Sequence, residues 1–192
     1  MSVLRESVRF GNSPEAWSAR ARNLPDPWEA CGWSRRGQLE RAMRVVSELH
    51  VERGDRILDY GCGTGVLTEL LPAHVARGYV GYDRAEGMIE RARLEHPGWT
   101  FQLWLPAGPF DLAACVGPFN LPGGWAKEDT WQTLRQVWER TLRTLVVSLY
   151  SGDDERCLRY DADEVARFGE GLGCFSRVER WRHNDLLLVA RR

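Results

Sequence analysis

Apolar residues recur three and four apart in some stretches of the chain and gather into short unbroken runs in others. Leu39, Ala42, Met43, Val46 and Leu49 fall at helical spacing behind Ser34, which predicts a helix from about Arg36 to His50 with Ser34 as its cap. Ile57-Leu58 reads as a short buried strand, and Val66, Leu67, Leu70 and Leu71 as the inner face of a helix running to about Ala76, shortened or kinked at Pro72. Gly78–Tyr82 is a second strand. Glu86–His96 is a helix with Met88, Ile89 and Ala92 inward, stopped by Pro97-Gly98. Trp99–Trp104 and Phe110–Val116 read as the third and fourth strands, Glu128 to about Thr141 as a helix on Trp131, Leu134, Val137 and Trp138, and Leu145–Tyr150 as a very apolar fifth strand. A helix capped by Asp161 follows, then strands at 174–182 and 184–191 whose short connection at His183-Asn184 makes an antiparallel hairpin. Alternating strands and helices predict an α/β domain: a mostly parallel sheet covered on both faces, closed by an antiparallel C-terminal strand. Residues 1–36 carry no clean periodicity. With Pro14, Pro25, Pro27 and the tryptophans 17, 28 and 33, they read as a helical N-terminal arm packed on the main domain, 37–192.

The densest chemistry lies at the end of the first strand, in Asp59-Tyr60-Gly61-Cys62-Gly63-Thr64-Gly65. Glycines at every second position permit a tight strand-to-helix turn and let a ligand lie against bare backbone. Asp83 closes the second strand. A dinucleotide fold also runs strand, glycine turn, helix, strand, acid. Here, however, the pattern is Asp-x-Gly-x-Gly-x-Gly rather than Gly-x-Gly-x-x-Gly. A carboxylate beside the turn repels a pyrophosphate and suits a ligand with an ammonium group. A nicotinamide-dependent oxidoreductase is therefore the weaker reading.

These residues resemble the class I S-adenosylmethionine-dependent methyltransferases, which have a Rossmann-like three-layer fold. The first motif is Leu58–Gly65, the second Gly81–Met88, and a weaker third is Phe110–Cys115. The resemblance covers about Gln38 to the C-terminus. It implies seven strands with the last inserted antiparallel, and S-adenosyl-L-methionine as cofactor. It implies that Gly61, Gly63 and Gly65 let the backbone approach the methionyl part, with Tyr60 and Cys62 in the same turn. Asp59 would face the amino group, Asp83 would accept the ribose hydroxyls, and Arg84 and Met88 would flank the adenine. Cys115 and Val116 would line the floor under the methionine. The arm would be a lid, with Arg36, or Arg35 beside it, meeting the methionine carboxylate. Many family members place an acid after the third strand to bind adenine. This chain reads Gln102-Leu103-Trp104-Leu105-Pro106 there, so either backbone groups and stacking on Trp104 hold the adenine or the pocket is altered. On the acceptor side, Asn120 stands in the loop after the fourth strand. The related Asn/Asp-Pro-Pro-aromatic motif accepts a target N–H there, but only Pro118-Phe119 match it, so no nucleobase substrate follows. Asn120 and Tyr150 are the catalytic candidates, and Trp125 a further wall residue.

Composition narrows the partners. The formal charge is -1, which argues against a domain devoted to a phosphate backbone and leaves room for a local basic patch; a small-molecule substrate is the expected partner. Lys127 is the only lysine, so 25 of the 26 basic residues are arginine. Five cysteines, an odd number with no Cys-x-x-Cys, suit a reducing cytoplasm. No run approaches the roughly 20 apolar residues of a membrane span, and no His/Cys/Asp/Glu grouping has metal-ligand spacing. Methyl transfer from a sulfonium needs no acid–base pair, so lacking one is no objection to an enzyme. The sequence supports a methyltransferase acting on an unidentified small molecule or exposed polar group. The alternative is a methyltransferase-like fold kept as a binding or scaffold module. The oligomeric state is not written in the sequence.

Overall fold

A computed structural model describes residues 12–121 and 126–192. Two short helices open the described chain, α1 (Pro14–Asn23) and α2 (Pro27–Ala30). Pro14 and Pro27 stand in the first helical turns, where a missing N–H costs nothing, and Pro25 lies in the connection between the two helices. Ser13 Oγ accepts from the Ala16 N–H to close the first. The long helix α3 spans Arg35–Leu49, capped by Ser34 Oγ on the Gly37 N–H. Then come β1 (Ile57–Tyr60), β2 (Tyr79–Tyr82), α4 (Glu86–Glu95), β3 (Thr100–Gln102) and β4 (Phe110–Val116). The chain finishes with α5 (Lys127–Glu139), β5 (Thr141–Tyr150), α6 (Ala162–Glu170), β6 (Phe175–Trp181) and β7 (Asp185–Arg191).

The seven strands form one sheet in the order β3-β2-β1-β4-β5-β7-β6. β1 to β5 run parallel, and β7 enters antiparallel between β5 and β6. Strand alternation sends Ile57, Leu112, Val146 and Val189 into a core under α3 and α4. Leu58, Ala113, Val147 and Leu188 enter a second core under α5 and α6. The order reverses between β1 and β4, and open α/β sheets bind ligands outside the carboxyl ends of the strands at such a point.

Three local expectations are corrected. No helix follows Gly65. Two single turns of 3-10 helix (Val66–Glu69 and Ala73–Val75) fill the crossover instead, because Pro72 interrupts the run after one turn. The third strand is only three residues long. The buried stripe of α3 is also rotated: Met43 faces solvent, while Val45, Gln38 and Glu48 are buried. The polar members of that stripe are tolerated because partners reach them from distant elements. Glu48 meets Arg44, Arg177 of β6 and Arg191 of β7.

Candidate cofactor and acceptor site

β1 ends with Asp59 opposite Gly81 of β2 on one side and Ala114 of β4 on the other. The carboxyl is only 2% exposed, and Oδ2 accepts from the Tyr79 hydroxyl at 2.7 Å. Burial raises its pKa to about 7, opposed by the Tyr79 bond and reinforced by the charge of Asp83. The chain then turns on Gly61, whose N–H donates to the Tyr82 carbonyl at 2.8 Å, so the turn is pinned to the tip of β2. Gly61 has φ +73°, and a Cβ there would stand 2.4 Å from the Cβ of Pro118, in the loop after β4. Only glycine lets these two loops close on each other.

At the tip of β2, Asp83 Oδ1 accepts from the Ala85 N–H at 2.9 Å and Oδ2 from the Gly63 N–H at 3.0 Å. Burial raises the pKa of this carboxyl despite both bonds. Each oxygen keeps a lone pair for a further donor. Asp59, Asp83 and the glycine turn between them open on one cavity of about 940 Å3. Small-molecule sites run to roughly 300–1,000 Å3.

The arm covers this cavity. Trp17, Cys31 and Trp33 belong to its wall, and a Cβ on Gly63 would stand 2.7 Å from Cys31 Sγ. The arm is seated on α4: Ser18 Oγ accepts from the Gly87 N–H at 3.1 Å, and Arg91 donates to the carbonyls of Ala21, Leu24 and Pro25. Burial raises the pKa of both wall thiols, Cys31 and Cys62, so they stay protonated at neutral pH.

The far end of the cavity lies between α3 and the tips of β4 and β5. Asn120 is 5% exposed there, and its Oδ1 accepts from the Tyr150 N–H at 3.0 Å. That bond settles which end of the amide is oxygen and leaves the NH2 group to face other partners. The Tyr150 hydroxyl accepts from the Asp154 N–H at 3.1 Å. Arg41 of α3 makes a two-point pair with buried Asp185, at 3.0 and 2.8 Å, and lies 4.2 Å from the centre of the Trp33 ring. Burial pushes the pKa of Asp185 up, against the pull of Arg41.

The structure brings together Asp59, Tyr60, Gly61, Cys62, Gly63, Asp83, Arg84, Met88, Val116, Asn120 and Tyr150 around this cavity. It leaves others outside. Trp104 is 67% exposed and absent from the wall, because the chain leaves the sheet after Gln102. Cys115 points to the opposite face of β4, into the core with Leu58 and Val147. Gly65 lies under His96 and Phe101, where a Cβ would come within 2.9 Å of both, and serves packing. Arg36 is on the solvent face of α3, 85% exposed, and pairs with Glu40. Arg35 is not in the wall either: its guanidinium lies 5.3 Å from the centre of the Trp28 ring. Trp125 falls outside the described residues. Sequence reasoning missed Trp33, Gln38, Arg41 and Tyr82 as wall residues. The half-buried Arg41 has no local signal, since its partner Asp185 is 144 positions away.

The methyltransferase-domain family matches residues 33–140, more than half of the chain. The chain belongs to this family. Methyltransferases of this fold are enzymes whose cofactor is S-adenosylmethionine. This methyltransferase is 36% identical over 77 residues to a trans-aconitate 2-methyltransferase of Rhizobium rhizogenes, covering 37% of this chain and 30% of that protein. It is 47% identical over 60 residues to a demethylmenaquinone methyltransferase of Symbiobacterium thermophilum, covering 30% and 24%. These matches thus span less than a third of either relative's own length. Its fold resembles that of magnesium protoporphyrin IX methyltransferase from Synechocystis, solved with S-adenosylmethionine, at a TM-score of 0.62 and 19% identity over 82% of this chain and 81% of that one.

Proposed function

We propose that this methyltransferase transfers a methyl group to a small-molecule acceptor held at the Asn120 end of the cavity. The observation that carries the reading is the pair of acids at adjacent strand tips, Asp59 and Asp83, facing one cavity with a glycine turn between them. S-adenosylmethionine supplies an activated methyl group and a thioether leaving group.

The residues present fit that cofactor. Asp59 is a carboxyl whose pKa is raised by burial, and an ammonium group beside it would restore its charged form. Asp83 has lone pairs to spare for ribose hydroxyls and is fixed in place by two backbone N–H groups. Gly61 and Gly63 offer bare backbone. Arg84 and Met88 flank the Asp83 end, where adenine would lie. Val116 alone, without Cys115, serves as floor, and neither Trp104 nor Arg36 has a part in this reading. The described part of the arm, residues 12–36, acts as a lid through Trp17, Cys31 and Trp33. The protein's work is to hold the acceptor atom in line with the methyl carbon and to keep water out. The substrates in the names of the two sequence relatives are both small molecules, which supports an acceptor of that class.

Calorimetric titration of S-adenosylhomocysteine, the demethylated product, tests the reading. The parent protein binds it, and Asp83→Ala weakens binding at least about tenfold, the equivalent of losing one or two hydrogen bonds to a charged acceptor. No binding to the parent protein would end the cofactor reading. Turnover of labelled S-adenosylmethionine on any acceptor would exclude a mere scaffold.

A further inference from the structure

Asn120 carries one unmet demand. Its Oδ1 is taken by the Tyr150 N–H, while Nδ2 is buried with no acceptor among the described residues. An unpaired buried donor is unfavourable, and a ligand oxygen would relieve it. The amide and the edge of the Trp33 ring share the space over Gly117: a Cβ on that glycine would stand 3.0 Å from Asn120 Nδ2 and 2.7 Å from Trp33 Cζ2. The Arg41 guanidinium lies 4.2 Å from the centre of the same indole, whose place a planar ring of similar size would take. Trp33 is only half-buried, so a side-chain rotation uncovers the amide.

The charges at this end are paired and offer an anion no partner. Of the cationic side chains in the described wall, Arg84 stands beside Asp83 at the other end. Arg41 has its charge met by Asp185. The acids here, Asp153 and Asp154, are each paired with an arginine that is not part of the wall, Arg159 and Arg156, and hydrogen bonds from Arg156 hold the Asp154 carboxyl at about 2. A carboxylate brought in would lose its hydration without gaining an unmet cation from the described wall.

We propose that the methyl acceptor is an uncharged planar ring bearing a hydroxyl or carbonyl oxygen, that this oxygen accepts from Asn120 Nδ2, and that the Trp33 ring now shielding the amide turns aside to admit it. The proposal rests on the cofactor reading above and names the acceptor class of the same cavity. It reverses the expectation that the Asn120 oxygen accepts from a target N–H, because that oxygen is already engaged.

The test uses matched probes on protein saturated with S-adenosylhomocysteine, so that no transfer occurs. 1-Naphthol, neutral at pH 7, binds measurably. 1-Naphthoate, with the same ring and a negative charge, binds at least about tenfold more weakly. Asn120→Asp keeps an oxygen for the Tyr150 N–H but turns the donor into an acceptor. It lowers naphthol affinity at least about tenfold while still binding the cofactor product. No naphthol binding, naphthoate binding as tight as naphthol, or an unchanged variant would each overturn the proposal. If the variant does not fold, the naphthol-to-naphthoate ratio on the parent protein decides. Failure of S-adenosylhomocysteine to bind at the outset would instead defeat the cofactor reading.

Discussion

At the scale of single residues, the site depends on Asp59 and Gly61. A carboxyl with an ordinary pKa near 3.8 in the unfolded chain and about 7 in the folded protein holds a proton that the unfolded chain has lost. Stability from this group therefore falls as pH rises from about 4 to 7, and is fully recovered below 4. Asp59→Asn removes this slope, which denaturant titrations at pH 5 and pH 8 would reveal as a flatter pH dependence than in the parent. On the proposed reading, an ammonium group beside Asp59 drives its proton off. Binding of S-adenosylhomocysteine at pH 6 then releases a proton, measurable by calorimetry in buffers of different ionisation enthalpy. Gly61→Ala places a Cβ against Pro118 at a positive φ. It is expected to cost about 1–3 kcal/mol of stability and to open the turn, weakening cofactor-product binding more than an alanine on an exposed strand would. The glycine spacing and both acids are legible in the sequence. The Tyr79 hydroxyl on Asp59 is not, because it comes from the neighbouring strand.

At the scale of elements, the arm depends on one close approach. A Cβ on Gly87 would stand 2.5 Å from the Ser18 carbonyl oxygen, so α1 lies directly on the first turn of α4. Gly87→Ala is expected to unseat α1 and speed limited proteolysis within residues 12–33, while leaving the sheet's circular dichroism unchanged. The same approach leaves the arm without a hydrophobic stripe. Its inward face is made of Ser18, Arg20, Ala21 and Ala30, which hydropathy does not mark as a core. Arg20 is wholly buried because its Nε donates to the Ala30 carbonyl and its Nη2 to that of Glu29. In the same way the crossover after Gly65 carries a helical hydrophobic pattern yet forms no α-helix, since Pro72 ends it within two turns.

At the scale of the whole molecule, Glu48 ties α3 to the C-terminal hairpin of β6 and β7. Burial pushes its carboxyl pKa up, but hydrogen bonds from Arg177 and Arg44 more than reverse this and hold it at about 2. This group thus contributes stability that is present above about pH 4.5 and is lost as pH falls toward 2. Glu48→Gln is expected to cost about 2 kcal/mol at pH 7 and much less at pH 2, read from denaturant midpoints at the two values. Among the described residues no helix is long and apolar enough to cross a membrane, and no group of three or more His, Cys, Asp or Glu could hold a metal ion.

The sequence by itself determined the alternation of strands and helices, the antiparallel return at the C-terminus, and the two acids with the glycines between them. Each of these is a local signal: hydrophobic period, turn chemistry, or residue types within a few positions. Only the tertiary structure decided which side chains share the cavity. It turned Cys115 inward and Val116 outward by one step of the strand, left Trp104 and Arg36 in solvent, and closed Trp33, Arg41 and Asn120 on one slot. Those outcomes depend on contacts between positions far apart in the chain, and no pattern along a single stretch encodes them.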